Sequence, residues 1–453
     1  MKKENDLGRD GIGALVWRMA LPSMLAQFVS VLYSIVDRMY IGHIAGVGET
    51  ALAGVGVCGP VVTMVGSAAV WISWGASPLM GIRMGEGKPE EARRILRTGF
   101  CMLLAFSLAM MALVIPLREP MLRFFGASDA TYPYADAYFT VYLMGTVFAL
   151  LAAGLNQMII AQGFAAQAMR LVVLGAALNI ALDPVFIFAL NMGVRGAALA
   201  TVLSQMASAA GAVIFLRGRQ AAIRLERGGL SLPAARKILT LGFTPFAIIA
   251  IDNVMVIAMN AILQRYGGAL EGDQLVTCAV IAQSFMLVMT MPLSGISGGT
   301  QSILSFNYGA RQFGRVRDAQ KKIFRLCMGF TAIMFVLARV AGPLFVRLFT
   351  KDAQVAEISA WAIRVCTLAA IPLGAQYEIV DGFTALGQVR LSFPLSFFRK
   401  AVYFAALFIL PACFGARAAF YAEPVSDILG PLASAIAYKL CIGPVLSDGH
   451  ARV

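Results

Sequence analysis

The sequence predicts an all-α polytopic membrane protein, with twelve transmembrane helices in two pseudo-symmetric six-helix bundles. Three observations carry that prediction. Of the 453 residues, 59% are hydrophobic and only 13% charged, with a mean hydropathy of +0.77. A soluble domain carries roughly 25% charged residues, so this chain lacks the polar surface that water demands. Its apolar residues are gathered into long runs, which select helices because a helix satisfies its own backbone inside a bilayer. Finally, the runs form two sets of six that resemble each other.

Stretches free, or nearly free, of Asp, Glu, Lys and Arg mark the spans in order. Met19–Val36, Thr50–Ile82, Thr98–Leu117 and Ala137–Met169 are the first four. Leu171–Leu190, interrupted by Asp183, and Gly196–Leu216 complete the first six. Ile238–Gln264, interrupted by Asp252, and Gln274–Ala310 follow a basic linker. The ninth and tenth, Leu326–Val346 and Val355–Thr384, contain Arg339, Arg364, Glu378 and Asp381. Pro394–Ala416 and Pro424–Leu446 are the last two. Several exceed the roughly 20 residues needed to cross, which predicts tilt or extension beyond the bilayer.

The two sets of six match at an offset of about 224 positions. Met84–Gly85 meets Tyr308–Gly309, and Leu122–Arg123–Phe124–Phe125 meets Val346–Arg347–Leu348–Phe349. At slightly shorter offsets, Leu21–Pro22 meets Thr244–Pro245, and Gly193–Ala197 meets Gly415–Ala419. A duplication follows, with an amino-terminal lobe at 1–216, a basic linker at 217–237 and a carboxy-terminal lobe at 238–453. Six spans per lobe start both repeats on the same membrane face, so the lobes are parallel repeats, and a substrate path is expected between them.

Charge fixes orientation and excludes other classes. Arginines and lysines crowd the loops after the second, sixth and eighth spans, at Arg83–Arg97, Arg217–Lys237 and Arg311–Lys322. The positive-inside rule then puts both termini in the cytoplasm. The net charge of +13 is explained by these loops, so no nucleic-acid partner is expected. The seven cysteines are scattered singly through apolar stretches, which argues against a disulfide or zinc framework. Met1–Asp10 is charged, and no cleavable signal peptide is expected.

Ionisable groups within a membrane are costly and raise a functional hypothesis by default. Asn179 and Asp183 are four apart on one helix and share a face. Counting 1.5 Å per residue from Arg170 puts Asp183 roughly 20 Å into the bilayer, and counting from Arg195 brings Thr201 to a similar depth. Asp37 closes the first span. Asp37, Asn179, Asp183 and Thr201 could therefore bind Na+ through oxygen ligands, or hold H+ between two carboxylates that resist ionising together. The structural alternative is that Asp183 caps a helix break before Pro184 while Asp37 pairs with an arginine. Asp252, Glu378 and Asp381, with Asn156, Gln157 and Gln283, are the residues expected to face a substrate cavity. Arg399 or Lys400 could instead tie Glu378 and Asp381 into a structural ion pair, and Arg339 or Arg364 could partner Asp252. Glycines at Gly54–Gly56–Gly59 and Gly295–Gly298–Gly299 suggest close helix packing or hinges, and Pro22, Pro60, Pro184, Pro245, Pro292 and Pro424 suggest bends.

Taken together, the run Leu32-Tyr33-Ser34-Ile35-Val36-Asp37, the loop Met84-Gly85-Glu86-Gly87 and the segment Asn179-Ile180-Ala181-Leu182-Asp183-Pro184 resemble the multidrug and toxic compound extrusion (MATE) family. Gly196–Thr201, Gly242-Phe243-Thr244-Pro245, Asn307-Tyr308-Gly309 and Ala385-Leu386-Gly387 extend the likeness from about Leu21 to Tyr438. The resemblance implies a V-shaped pair of bundles that exports organic, often cationic, compounds across the plasma membrane in exchange for protons or sodium. It implies no enzyme activity, no cofactor beyond the coupling ion, and a single chain working in the lipid bilayer on small organic substrates. Asp37, Asn179, Asp183 and Thr201 fall on the family's amino-terminal cation site. Asp252 falls approximately on a seventh-span acid of some members, whereas Glu378 and Asp381 do not occupy the tenth-span position of the sodium-type members. The tail after Lys439 departs from the family's usual ending. One rival reading is a lipid-linked oligosaccharide flippase on a related two-lobed fold, which would need a strongly cationic cavity. Another is a membrane-embedded enzyme, disfavoured because His43 and His450 are the only histidines.

Overall fold

A computed structural model describes residues 5–350 and 352–447. His450 and the end of the tail lie outside the described residues. Among the described residues ten helices are long and apolar enough to cross a membrane, and two bent pairs, each taken as one span, bring the number to twelve. Spans 1 to 3 are Ile12–Gly42, Gly48–Gly85 and Pro89–Phe124. Span 4 is the pair Tyr132–Met144 and Thr146–Ala161, followed by spans 5 and 6 at Ala165–Ala189 and Val194–Arg217. Spans 7 to 9 are Leu232–Gly268, Glu271–Gly309 and Phe313–Val340. Span 10 is the pair Ala353–Cys366 and Ala370–Ala385, and spans 11 and 12 are Val389–Phe414 and Ala416–Ser447.

The apolar runs locate every span but read through the end of two, for span 9 closes at Val340, before the Leu326–Val346 run ends. The turn between spans 4 and 5 falls at Gln162–Phe164, well before the Ala137–Met169 run ends. Gly163 makes it with a φ of +91°, a region glycine enters at little cost. No charged residue marks that turn, so the apolar run reads straight through it. Two breaks, of 58° and 48°, fall at Gly145 and at 367–369, where there is no proline. At the second, the Thr367 hydroxyl bonds the Ile363 carbonyl at 2.7 Å, a back-bond that bends helices. Pro22, Pro60, Pro245 and Pro292 sit inside continuous helices.

The glycines matter most at one end of the bundle, where the basic loops gather. There the halves meet along a seam of backbone-to-backbone contacts. A Cβ at Gly85 would drive into the Phe306 carbonyl, and one at Gly309 into the Ile82 carbonyl. Likewise Gly75 faces the Ile238 carbonyl and Gly242 the Trp71 carbonyl. Gly295 and Gly299 of span 8 close on Ser23 of span 1, as their spacing suggests, whereas Gly56 and Gly59 of span 2 face open space. The seam follows the duplication: span 2 packs on the start of span 7, and span 8 on span 1. Trp71 reinforces it, donating from Nε1 to the Leu239 carbonyl at 2.8 Å and stacking on Phe246 with centroids 4.4 Å apart.

Residues ahead of span 1 tie the halves together at this basic end. Asn5 donates to the Gly163 carbonyl at 2.8 Å, and Leu7 is buried. From the other half, Asn307 donates to the Leu7 carbonyl at 2.9 Å and Arg315 to the Asp10 carbonyl at 2.8 Å. The apolar core has two clusters. One spans the first six helices and the seam, and the other is built from spans 7 to 12 farther from it. Polar cavities lie beside each.

Candidate functional site

In the first half, span 5 presents Asn179 and Asp183 on one face, and span 6 brings Thr201 opposite them. Asp183 is fully buried and Asn179 is 2% exposed. The Asn179 amide donates to Asp183 Oδ1 and to Thr201 Oγ1, each at 3.4 Å. The helix does not stop at Pro184. Proline cannot donate to the carbonyl one turn back, and the backbone widens into a π-helical turn at Val185–Ala189. Such turns often mark functional positions. The Asp183 carboxylate caps nothing, and its only hydrogen bond among the described residues is with Asn179.

Asp37 of span 1 lies within electrostatic reach of Asp183 and of Tyr138. It forms no ion pair with an arginine among the described residues, so the structural alternative for it is not what the side chains adopt. Asp37 Oδ1, Asn179 Oδ1 and Asp183 Oδ2 are all buried and accept no hydrogen bond. Donor-starved buried oxygens on Asn179 and Asp183, with that of Asp37 within electrostatic reach, suit a small cation, since an unmet buried acceptor bears a desolvation cost. Among the described residues no group of three or more His, Cys, Asp or Glu is placed to hold a metal ion. A cation here would thus be held by two carboxylates and neutral oxygens. A cavity of about 170 Å³ opens beside the group, lined by Tyr33, Asn156, Asn179, Thr201 and Gln205, with no lysine or arginine in its wall.

The remaining residues expected at a substrate cavity scatter. Asn156 lines the first-half cavity, and its Oδ1 is buried and unpaired. Gln157 contributes its backbone carbonyl to the Ser77 hydroxyl and lines neither cavity. Asp252 and Gln283 line a second cavity of about 260 Å³ in the other half. Glu378 and Asp381 line neither.

The ion pairs of the second half also differ from expectation. Arg399 and Lys400 do not reach Glu378 or Asp381. Instead Arg399 donates to Asp427 at 2.5 Å, and Lys400 pairs with Asp252. Adjacent residues on a helix point about 100° apart, so the two bases serve different neighbours. Asp381 accepts a hydrogen bond from Ser297 at 2.5 Å, and Glu378 Oε1 is buried with no partner. Arg339 does not meet Asp252 either. It lies over the Phe335 ring at 3.3 Å and donates to the Phe335 carbonyl. Arg364 turns back to the Ala360 carbonyl. Glu423 and Asp427 of span 12 escaped the sequence reading. Asp427 was visible as the one acid within the Pro424–Leu446 run, while Glu423 sat just outside it.

The MatE family model matches residues 22–185 and 249–409. A protein named FAD transporter from Shewanella oneidensis is 24% identical over 97% of this chain and 98% of its own length. Multidrug export protein MepA from Staphylococcus aureus is 21% identical over 92% of this chain and 91% of its own. Among solved structures, an outward-facing multidrug resistance MATE family transporter superposes with a TM-score of 0.90, at 21% identity, over 98% of this chain and 99% of that one. A MOP superfamily transporter from Pyrococcus furiosus, described as having a binding pocket of reverse polarity, superposes at 0.91 over the same shares.

Proposed function

Because the chain belongs to the MatE family of multidrug and toxic compound efflux transporters, we propose that it exports amphipathic organic cations in exchange for protons or sodium. The coupling ion is taken up at Asp37, Asn179, Asp183 and Thr201. One observation carries this reading: the three buried oxygens at Asp37, Asn179 and Asp183 accept no hydrogen bond. A proton on either carboxylate would remove a charge and supply one donor, and a sodium ion could take several of these oxygens as ligands.

Residues 1–216 and 238–453 act as the two rocking units, joined by the linker at 217–237. The basic end faces the cytoplasm of the cell membrane by the positive-inside rule, and a single chain is the working unit. The closed seam at that end then corresponds to an outward-open state. Cation binding favours release outward only so far as the ion binds one state better than the other.

An anionic cargo, such as the one in the name of the Shewanella relative, finds little support in the charges. The first cavity has no base in its wall, and both bases of the second are paired with acids. The same pairing argues against a pyrophosphate-linked lipid and a flippase role.

The test is efflux from proteoliposomes with sodium and pH gradients imposed separately. One gradient should drive export in the native chain, and Asp37→Asn and Asp183→Asn should each abolish it. Undiminished gradient-driven efflux in both variants would sink the mechanism.

A further inference from the structure

Span 11 carries bases of two kinds. Arg399 and Lys400 are each met by an acid. Arg390, at the basic end of the same span, is exposed and forms no ion pair among the described residues. Near it stands Arg236 of span 7, equally exposed and equally unpaired. The two line one open groove of about 680 Å³ with Leu239, Thr240, Phe243 and Phe393, and no acid joins them there. The groove shares no residue with either cavity described above.

Two helices are patterned alike toward this groove. On span 7, Arg236, Leu239, Thr240 and Phe243 fall at i, i+3, i+4 and i+7, and on span 11 Arg390, Phe393, Pro394 and Phe397 do the same. Such positions share one helix face, and seven residues rise about 10 Å. Each face therefore puts a positive charge at the membrane boundary and an aromatic ring two turns deeper. The rings of Phe243 and Phe393 have centroids 5.7 Å apart, and Phe393 stacks on Phe397 at 6.1 Å, so they form one continuous strip. Phe243 and Phe397 are exposed along it. The matching stretches of the first half, at 12–13 and 166–168, hold no base, so the pattern is not a by-product of the duplication.

Charge at the boundary with apolar surface beneath it is complementary to a phospholipid. Two arginines with no acid between them favour a phosphate, whose oxygens a guanidinium meets with paired hydrogen bonds. They also discriminate among lipids. A choline or ethanolamine headgroup would bring its own cation against them, and a glycerol headgroup would not. A free phosphate would leave the aromatic strip unused. Basic pockets between spans on the cytoplasmic side suit anionic headgroups for the same reasons.

We infer that this groove holds an anionic phospholipid, its phosphate between Arg236 and Arg390 and an acyl chain along Phe243, Phe393 and Phe397. The lipid is a partner bound at the membrane boundary, neither cargo nor coupling ion, and the assignment stands apart from the export reading.

The experiment is native mass spectrometry of the delipidated full chain in detergent, titrated with phosphatidylglycerol or phosphatidylcholine of matched acyl chains. One phosphatidylglycerol should bind at least about fivefold more tightly than phosphatidylcholine. Arg236→Gln combined with Arg390→Gln should weaken its binding at least about tenfold, as two basic contacts are lost. Arg219→Gln removes an exposed arginine from the linker at the same end and should change nothing. Thr240→Trp fills the groove with both charges in place and should abolish the tight binding, with gel filtration confirming a folded chain. Inorganic phosphate at constant ionic strength should not displace the lipid. Equal affinity for the two lipids, unchanged affinity in the double variant or in Thr240→Trp, an equal loss in Arg219→Gln, or displacement by phosphate would each overturn the assignment.

Discussion

In the first half of the molecule, Asp37 and Asp183 form no ion pair among the described residues, and around them lie an amide, a hydroxyl, tyrosine rings and, beside Asp37, Arg38. In the second half, Asp252 and Asp427 are each met by a base within the same chain. The repeat places Asn260 where a second Asp37 would stand, with its Oδ1 buried and unpaired. Duplicated architecture has thus been given two charge plans. One is left short of cations and must find them outside the protein. The other is neutralised from within at these two pairs, while Glu378, Asp381 and Glu423 form no ion pair among the described residues. An acid that awaits an ion contributes little to stability, whereas breaking a buried pair leaves a charge with nowhere to go.

Stability should therefore respond in opposite ways in the two halves. The largest effect is expected for Asp427→Ala, which strands Arg399 and should cost about 3–5 kcal/mol in unfolding of the detergent-purified chain. Adding Arg399→Met should recover much of that loss; if the double variant is as unstable as the single one, the pair is not the cause. Asp183→Asn should remove coupled efflux while leaving the melting temperature equal or higher, since no partner is stranded. A marked fall in melting temperature would mean that Asp183 has a structural role after all.

Smaller effects probe where the halves are alike. Gly85→Ala and Gly309→Ala occupy matching places in the repeat and should cost similar amounts, about 1–3 kcal/mol each, from overpacking. Strongly unequal losses would show that the seam is less symmetric than its contacts. Arg315→Ala releases the residues ahead of span 1 and should cost about 1–2 kcal/mol, with faster proteolysis near Leu7 as its mark. Asn260→Asp should have least effect and should not rescue Asp37→Asn, because the second half has no Asn-Asp-Thr group to receive it. Restored gradient-driven efflux in that double variant would erase the contrast between the halves.

The spans were legible because charge is so scarce that charged residues gather at most of the boundaries. The turn at Gln162–Phe164 carries no charge, and the pattern missed it. Asn179, Asp183 and Thr201 could be brought together from helical spacing and depth alone, since both follow from the rise per residue. Pairing across helices was not legible. Whether Lys400 meets Asp252 or Asp381 depends on how span 11 is rotated against its neighbours, and apolar composition on every side leaves that rotation unmarked. The glycines divide in the same way, for a glycine cluster sits at a contact in span 8, whereas Gly56 and Gly59 of the span 2 cluster face open space.

The seam carries a further consequence for movement. At Gly75, Gly85, Gly242 and Gly309 the main chain of one half rests directly on the main chain of the other. Side chains at an interface can swing aside and let it loosen by degrees, but a peptide carbonyl has no rotamers. Parting this seam must separate whole helices at once, on both sides of the pseudo-symmetry axis together. Such a joint behaves like a catch with two positions rather than a spring, and even a modest binding energy delivered elsewhere then needs only to tip it.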